Sequence, residues 1–131
     1  MLQQDAPDQT TQVRTLIEGW AQAVRDGEME GIIAHHSNDV LMFDVPPPVQ
    51  LKGLVAYRAG WELFFEYSPG GPGSFDLSDI EVTASDSVAF AHALITIGGT
   101  SPARLSMGFR KEDGEWLIVH EHHSFPSAVP E

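Results

Sequence analysis

The sequence predicts an α+β domain: three helices packed on one face of a curved, mostly antiparallel sheet. Two regimes of apolar spacing and the break between them carry that expectation. In the first half, Val13, Leu16, Ile17, Trp20, Ala21 and Val24 recur at helical spacing, as do Leu54, Tyr57, Trp61, Phe64 and Phe65. From Phe75 onward the spacing changes to alternation, the signature of strands with one covered face. The change falls on Ser68-Pro69-Gly70-Gly71-Pro72-Gly73, a composition that breaks regular structure.

Each element follows in order. A polar tail over residues 1–6 precedes a helix from about Pro7 to Asp26, with Pro7 in the first turn and Gly27 as the stop. A short second helix spans about Glu28 to His36, with Met29, Ile32 and Ile33 inward; His35 and His36 close it and read as structural. Val40 to Val45 reads as a strand with Val40, Met42 and Asp44 on one face, stopped by Pro46-Pro47-Pro48. The third helix spans about Gly53 to Tyr67. Four strands follow: Phe75 to Ala84 with a bulge near Asp79, Val88 to Gly98, Ala103 to Lys111, and Trp116 to Ser124. Asp113-Gly114 is the hairpin turn before the last of these. The whole reads as one domain, residues 7–126, with residues 127–131 as a C-terminal tail.

Composition narrows the function. The net charge is -12, which argues against nucleic acid and against anionic membrane surfaces, since both need clustered Lys and Arg. No cysteine is present, so disulfides, thiolate metal sites and a cysteine nucleophile are excluded. No run is long and apolar enough to span a bilayer, and the first residues lack the pattern of a signal peptide, so the default expectation is a cytoplasmic protein. The sequence holds no G-x-S-x-G elbow, phosphate loop or dinucleotide fingerprint.

The segment Trp116-Leu117-Ile118-Val119-His120-Glu121-His122-His123-Ser124 concentrates proton-handling side chains on one strand. Strict alternation puts Trp116, Ile118, His120 and His122 on one face, and Leu117, Val119, Glu121 and His123 on the other. If the tryptophan face is inward, His120 and His122 enter a pocket. Neutral imidazoles there can relay protons, orient a carbonyl or ligate a metal. His92 on another strand could complete a three-histidine zinc site. Glu121 and His123 are then expected on the dimer surface or in solvent. Asp44, beside Val40 and Met42, is the candidate general base; the alternative is that it caps the backbone around the prolines. Arg104 could reach the pocket mouth to hold an anion or lie solvated on the sheet. Trp20, Met42, Tyr57, Trp61 and Phe64 are candidate pocket walls, or plain core.

Two stretches, Phe43-Asp44-Val45-Pro46-Pro47-Pro48 followed by Gly53, and Arg110 through Ser124 ending Trp116-Leu117-Ile118-Val119-His120-Glu121-His122-His123-Ser124, resemble the NTF2-like superfamily in its SnoaL-like and ketosteroid-isomerase-like branch. The resemblance spans roughly residues 7 to 126. It implies a cone-shaped barrel, commonly dimeric through the open sheet face, in a family of isomerases, dehydratases, cyclases, hydrolases and binding modules. It also implies that Asp44 matches the family's general base. The only tyrosines, Tyr57 and Tyr67, both fall on the third helix.

The sequence thus points to a small-molecule-binding domain for an apolar or carbonyl-containing ligand. If it is an enzyme, the expectation is a cofactor-independent isomerase, dehydratase or cyclase using Asp44, His120 and His122. A non-catalytic module with a filled cone and a zinc hydrolase using His92, His120 and His122 are the alternatives.

Overall fold

The computed structural model describes residues 8–127. The tail over residues 1–6, Pro7 as a first-turn residue and most of the C-terminal tail lie outside the described residues.

Helix α1 (Gln9–Asp26) starts where Asp8 caps it: the Asp8 carboxylate accepts from the Thr11 backbone N–H at 2.8 Å. It ends at Gly27, whose φ of 67° is left-handed and lets its N–H return to the last carbonyls. The stripe Val13, Ile17, Trp20, Ala21 and Val24 is buried. Helix α2 (Met29–Ile33) is shorter than its apolar pattern suggests, and Gly31 explains how it sits. A Cβ on Gly31 would lie 2.9 Å from Ala23 Cβ, so the glycine is what allows α2 to approach α1 this closely.

The chain then turns through His35, at φ 63°, directly into β1 (His36–Phe43). His36 therefore opens a strand rather than closing a helix, and its ring is buried. A two-residue strand that the sequence pattern did not reveal, β2 (Leu51–Lys52), pairs antiparallel with β1. Helix α3 (Leu54–Phe65) follows, burying Tyr57 and Trp61. The remaining strands are β3 (Asp76–Ala84), β4 (Val88–Thr96), β5 (Ala103–Glu112) and β6 (Glu115–Ser124).

These form one sheet of order β2-β1-β6-β5-β4-β3, with β1 and β6 parallel and the other pairs antiparallel. The sheet curves over the helices as an open cone rather than a closed barrel, since β2 and β3 remain at its edges. In β3 the register slips between Ser78 and Glu81, with Asp79 at φ 54°, which is the bulge expected there. The inner face is lined by Ala89, Ala91, Ala93 and Ile95 of β4 and by Ala103, Leu105, Met107 and Phe109 of β5. Among the described residues the outer face carries no helix.

One irregularity decides what β6 presents. Phe109 pairs with Ile118 but the next residue back, Gly108, pairs with His120, so Val119 is an extra residue in β6. Trp116 and Ile118 are buried before this bulge, and Glu121 and His123 are buried after it. Strict alternation fails at this point. The inner face passes from an apolar pair to an acid and an imidazole.

Candidate active site

Glu121 is fully buried and receives three side chains. His36 Nε2 meets Oε2 at 2.6 Å, the Tyr57 hydroxyl donates to Oε2 at 2.6 Å, and His123 Nε2 meets Oε1 at 3.2 Å. The Trp20 indole N–H donates in turn to the Tyr57 oxygen at 3.0 Å. Four elements converge here: Trp20 comes from α1, His36 from β1, Tyr57 from α3, and Glu121 with His123 from β6.

Both ring nitrogens of His36 have an oxygen within hydrogen-bond distance: Nδ1 lies 3.1 Å from the Ala34 carbonyl, and Nε2 faces the Glu121 carboxylate. Burial alone would raise the Glu121 pKa. Hydrogen bonds from His123 and His36 outweigh that and hold the carboxyl at about 2. The same burial and the Glu121 charge push the Tyr57 phenol well above its ordinary value, partly eased by the indoles of Trp61 and Trp20. Glu121 and His36 thus form a buried hydrogen-bonded pair at 2.6 Å. The Trp61 indole N–H is buried and has no hydrogen-bond partner among the described residues.

For His123 the consequence is different. Its Nε2 lies against Glu121, and among the described residues Nδ1 has no hydrogen-bond partner. His123 lines a cavity of about 390 Å³ whose other walls include Met42, Asp44, Tyr57, Trp61, Phe64 and Phe75. Its ring is held edge-on by Trp20 and Trp61, with centroids 6.1 and 6.3 Å away. Asp44 lies one residue beyond the Phe43–His122 pairing, which sets it beside His123 on the neighbouring strand. One Asp44 oxygen accepts from the Val45 N–H at 2.8 Å.

The residues singled out in the sequence divide accordingly. Asp44, Met42, Tyr57, Trp61 and Phe64 line the cavity. Trp20 stands behind the wall, holding Tyr57. His120 and His122 are on the opposite face from the one expected, because the bulge at Val119 inverts the alternation. His120 Nδ1 donates to the Leu41 carbonyl at 2.7 Å, and both rings pack edge-on against Phe43. His92 and Arg104 are also exposed on the outer face, because their neighbours Ala91, Ala93, Ala103 and Leu105 are the buried ones. The zinc site is not supported. His92 and His122 flank Ser106 across the sheet, so two strand spacings, about 10 Å, separate them. Among the described residues no group of three His, Asp or Glu side chains is placed to hold a metal. Conversely, Glu121 and His123, expected outside, and His36, expected at a helix end, form the buried centre. Gly108, opposite His120, was the only hint of the bulge in the sequence.

The model for the SnoaL-like domain matches residues 13–128, and the chain belongs to this family, within the NTF2-like fold. An NTF2-like protein of unknown function from Pseudomonas putida is 36% identical, covering 92% of this chain and 88% of that one with a TM-score of 0.83. A Streptomyces avermitilis protein named as a "putative dehydratase from the NTF2-like family" is 16% identical, covering 93% and 100% with a TM-score of 0.75. A Parabacteroides distasonis protein named as a "putative ketosteroid isomerase" is 15% identical, covering 91% and 89% with a TM-score of 0.72. The latter two share the fold. No curated protein matches this chain. No described helix is long and apolar enough to cross a membrane.

Proposed function

We propose that the cavity binds a carbonyl compound and that His123 is its general base, in a cofactor-independent isomerisation or elimination. One observation carries this reading: His123 lines an apolar cavity with Nδ1 unpartnered among the described residues and Nε2 against a buried carboxylate, so the tautomer protonated on Nε2 offers a basic Nδ1. In the step envisaged, the C–H bond beside the carbonyl breaks and its proton goes to Nδ1. The electron pair moves onto the carbonyl oxygen as an enolate. Return of the proton to another carbon gives an isomer; departure of a β-hydroxyl, which takes the proton from Nδ1 and leaves as water while the enolate collapses to the unsaturated carbonyl, gives a dehydration. Glu121 stabilises the imidazolium formed, as a carboxylate does in any base–orienter pair. Asp44, expected from the sequence as the base, is placed to hold the polar end of the ligand beside His123. A cavity of this size favours ligand binding over the alternative of a filled cone. The names of the dehydratase and isomerase relatives fit this class of chemistry.

The test is deuterium incorporation beside the carbonyl of tetralone, a neutral bicyclic surrogate, in heavy water. His123→Gln should lower catalysed exchange by at least a hundredfold, the scale of a lost general base. Unchanged exchange in that variant, or no exchange above background in the wild type, removes the catalytic reading.

We further infer a homodimer formed through the outer sheet face, where Val88 and Phe90 are 58% and 55% exposed. Sedimentation of wild type against Phe90→Lys tests it, and a monomeric wild type ends it. The cytoplasm is the compartment proposed, and cell fractionation decides it.

A further inference from the structure

The charges around the cavity do not balance. Glu121 is paired with His36, and His123 Nε2 also lies against Glu121. None of the seven Lys and Arg residues belongs to the cavity wall. Asp44 alone contributes a carboxylate there without a cationic partner: the described ion pairs involving Asp39, Asp76, Glu18, Glu30, Glu112 and Glu121 do not reach it. Its one hydrogen bond, from Val45 N–H, leaves the second oxygen unused among the described residues. A half-buried carboxylate at an apolar wall without a counter-ion is an arrangement that a ligand can complete.

The rest of the wall suits a cation. Tyr57, Trp61, Phe64, Tyr67, Phe75 and Phe125 all line the cavity, and aromatic faces attract an ammonium group when water is excluded. The protein's net charge of -12 draws cations and repels carboxylates and phosphates at long range. We propose that the cavity's ligand is a hydrophobic amine, bound with its ammonium group on Asp44 and its apolar body against the aromatic wall. This rests on the cavity being the substrate site, as set out above, and it names the substrate class: a carbonyl compound carrying a basic amine. The same charges disfavour carboxylates and phosphate esters as ligands.

Three fluorescent probes of one shape test this without turnover: naphthylmethylamine, naphthylmethanol and naphthoate. In titrations at physiological salt the wild type should bind the amine about fivefold tighter than the alcohol, the scale of a partly desolvated ion pair with cation–π support. Naphthoate should bind more weakly than both. Asp44→Asn, of nearly the same shape, should bring the amine to the affinity of the alcohol while leaving the alcohol unchanged. Equal binding of amine and alcohol by the wild type overturns the proposal. So does a preference that survives Asp44→Asn, since it would then come from the overall charge of the protein. Because the probes have no carbonyl, the result is independent of His123: a wild type without tetralone exchange above background but with an intact amine preference would defeat the catalytic reading and leave this one standing.

Discussion

Glu121 and His123 differ from His120 and His122 by one position in sequence and by everything in environment. The first pair faces inward, where each polar atom is accounted for by a named partner or opens on the cavity. The second faces the helix-free side, with His122 exposed and His120 resting on Leu41 and Phe43. The same residue type is therefore buried against Glu121 at 123 and an exposed surface group at 122. The difference is set by the fold, through one extra residue in β6, and not by the local sequence.

The contrast is broken most severely at Glu121. Glu121→Gln keeps the size and removes the buried charge on which His36, Tyr57 and His123 converge. Breaking one partner of a buried pair costs about 3–5 kcal/mol, so urea unfolding should show a loss on that scale. A loss below about 1 kcal/mol would mean that the pair is not ionised. Tyr57→Phe comes next. It removes one donor to Glu121 and the acceptor of the Trp20 N–H together, for an expected loss of about 2–3 kcal/mol. Its unfolding midpoint in urea should lie between those of Glu121→Gln and wild type; a midpoint equal to wild type would show that the phenol is dispensable.

The acid limb of stability sharpens the same comparison. The Glu121 carboxyl is held at about 2, below its ordinary value of 4.5. A depressed acid stabilises the fold fully above its unfolded pKa and loses that contribution as pH falls through the folded one. The contribution is on the order of 3 kcal/mol, so stability should decline between about pH 4.5 and pH 2 and the decline should be absent in Glu121→Gln. Parallel curves for the two proteins would place the acid sensitivity elsewhere.

How much of this was legible in the sequence follows from periodicity. The helices, the four consecutive strands and the bulge at Asp79 could be read because each has several residues of consistent spacing. Asp44, Met42, Tyr57, Trp61 and Phe64 were legible as cavity residues for the same reason: their faces are set by uninterrupted local patterns. His123 was not, because the face of β6 is reset by a bulge whose only trace is a glycine on the partner strand. A Cβ on Gly108 would still clear His120 Cβ at 3.5 Å, so the trace is permissive and not diagnostic. His36 was hidden for another reason. A buried histidine looks like any other until the distant carboxylate that pairs with it, 85 residues on, is known.

The smallest expected effect lies at His122 and is the other half of the comparison. His122→Ala removes an exposed ring whose described contact is the edge of Phe43, 5.4 Å between centroids. Surface substitutions of this kind stay within about 0.5 kcal/mol, and tetralone exchange should be unchanged because the ring is across the sheet from the cavity. His123→Ala at the adjoining position should abolish exchange. The two variants differ by one residue and remove the same group, so a result in which His122→Ala lost exchange and His123→Ala kept it would show that β6 runs without its bulge. That would return the imidazoles to the faces that strict alternation assigns.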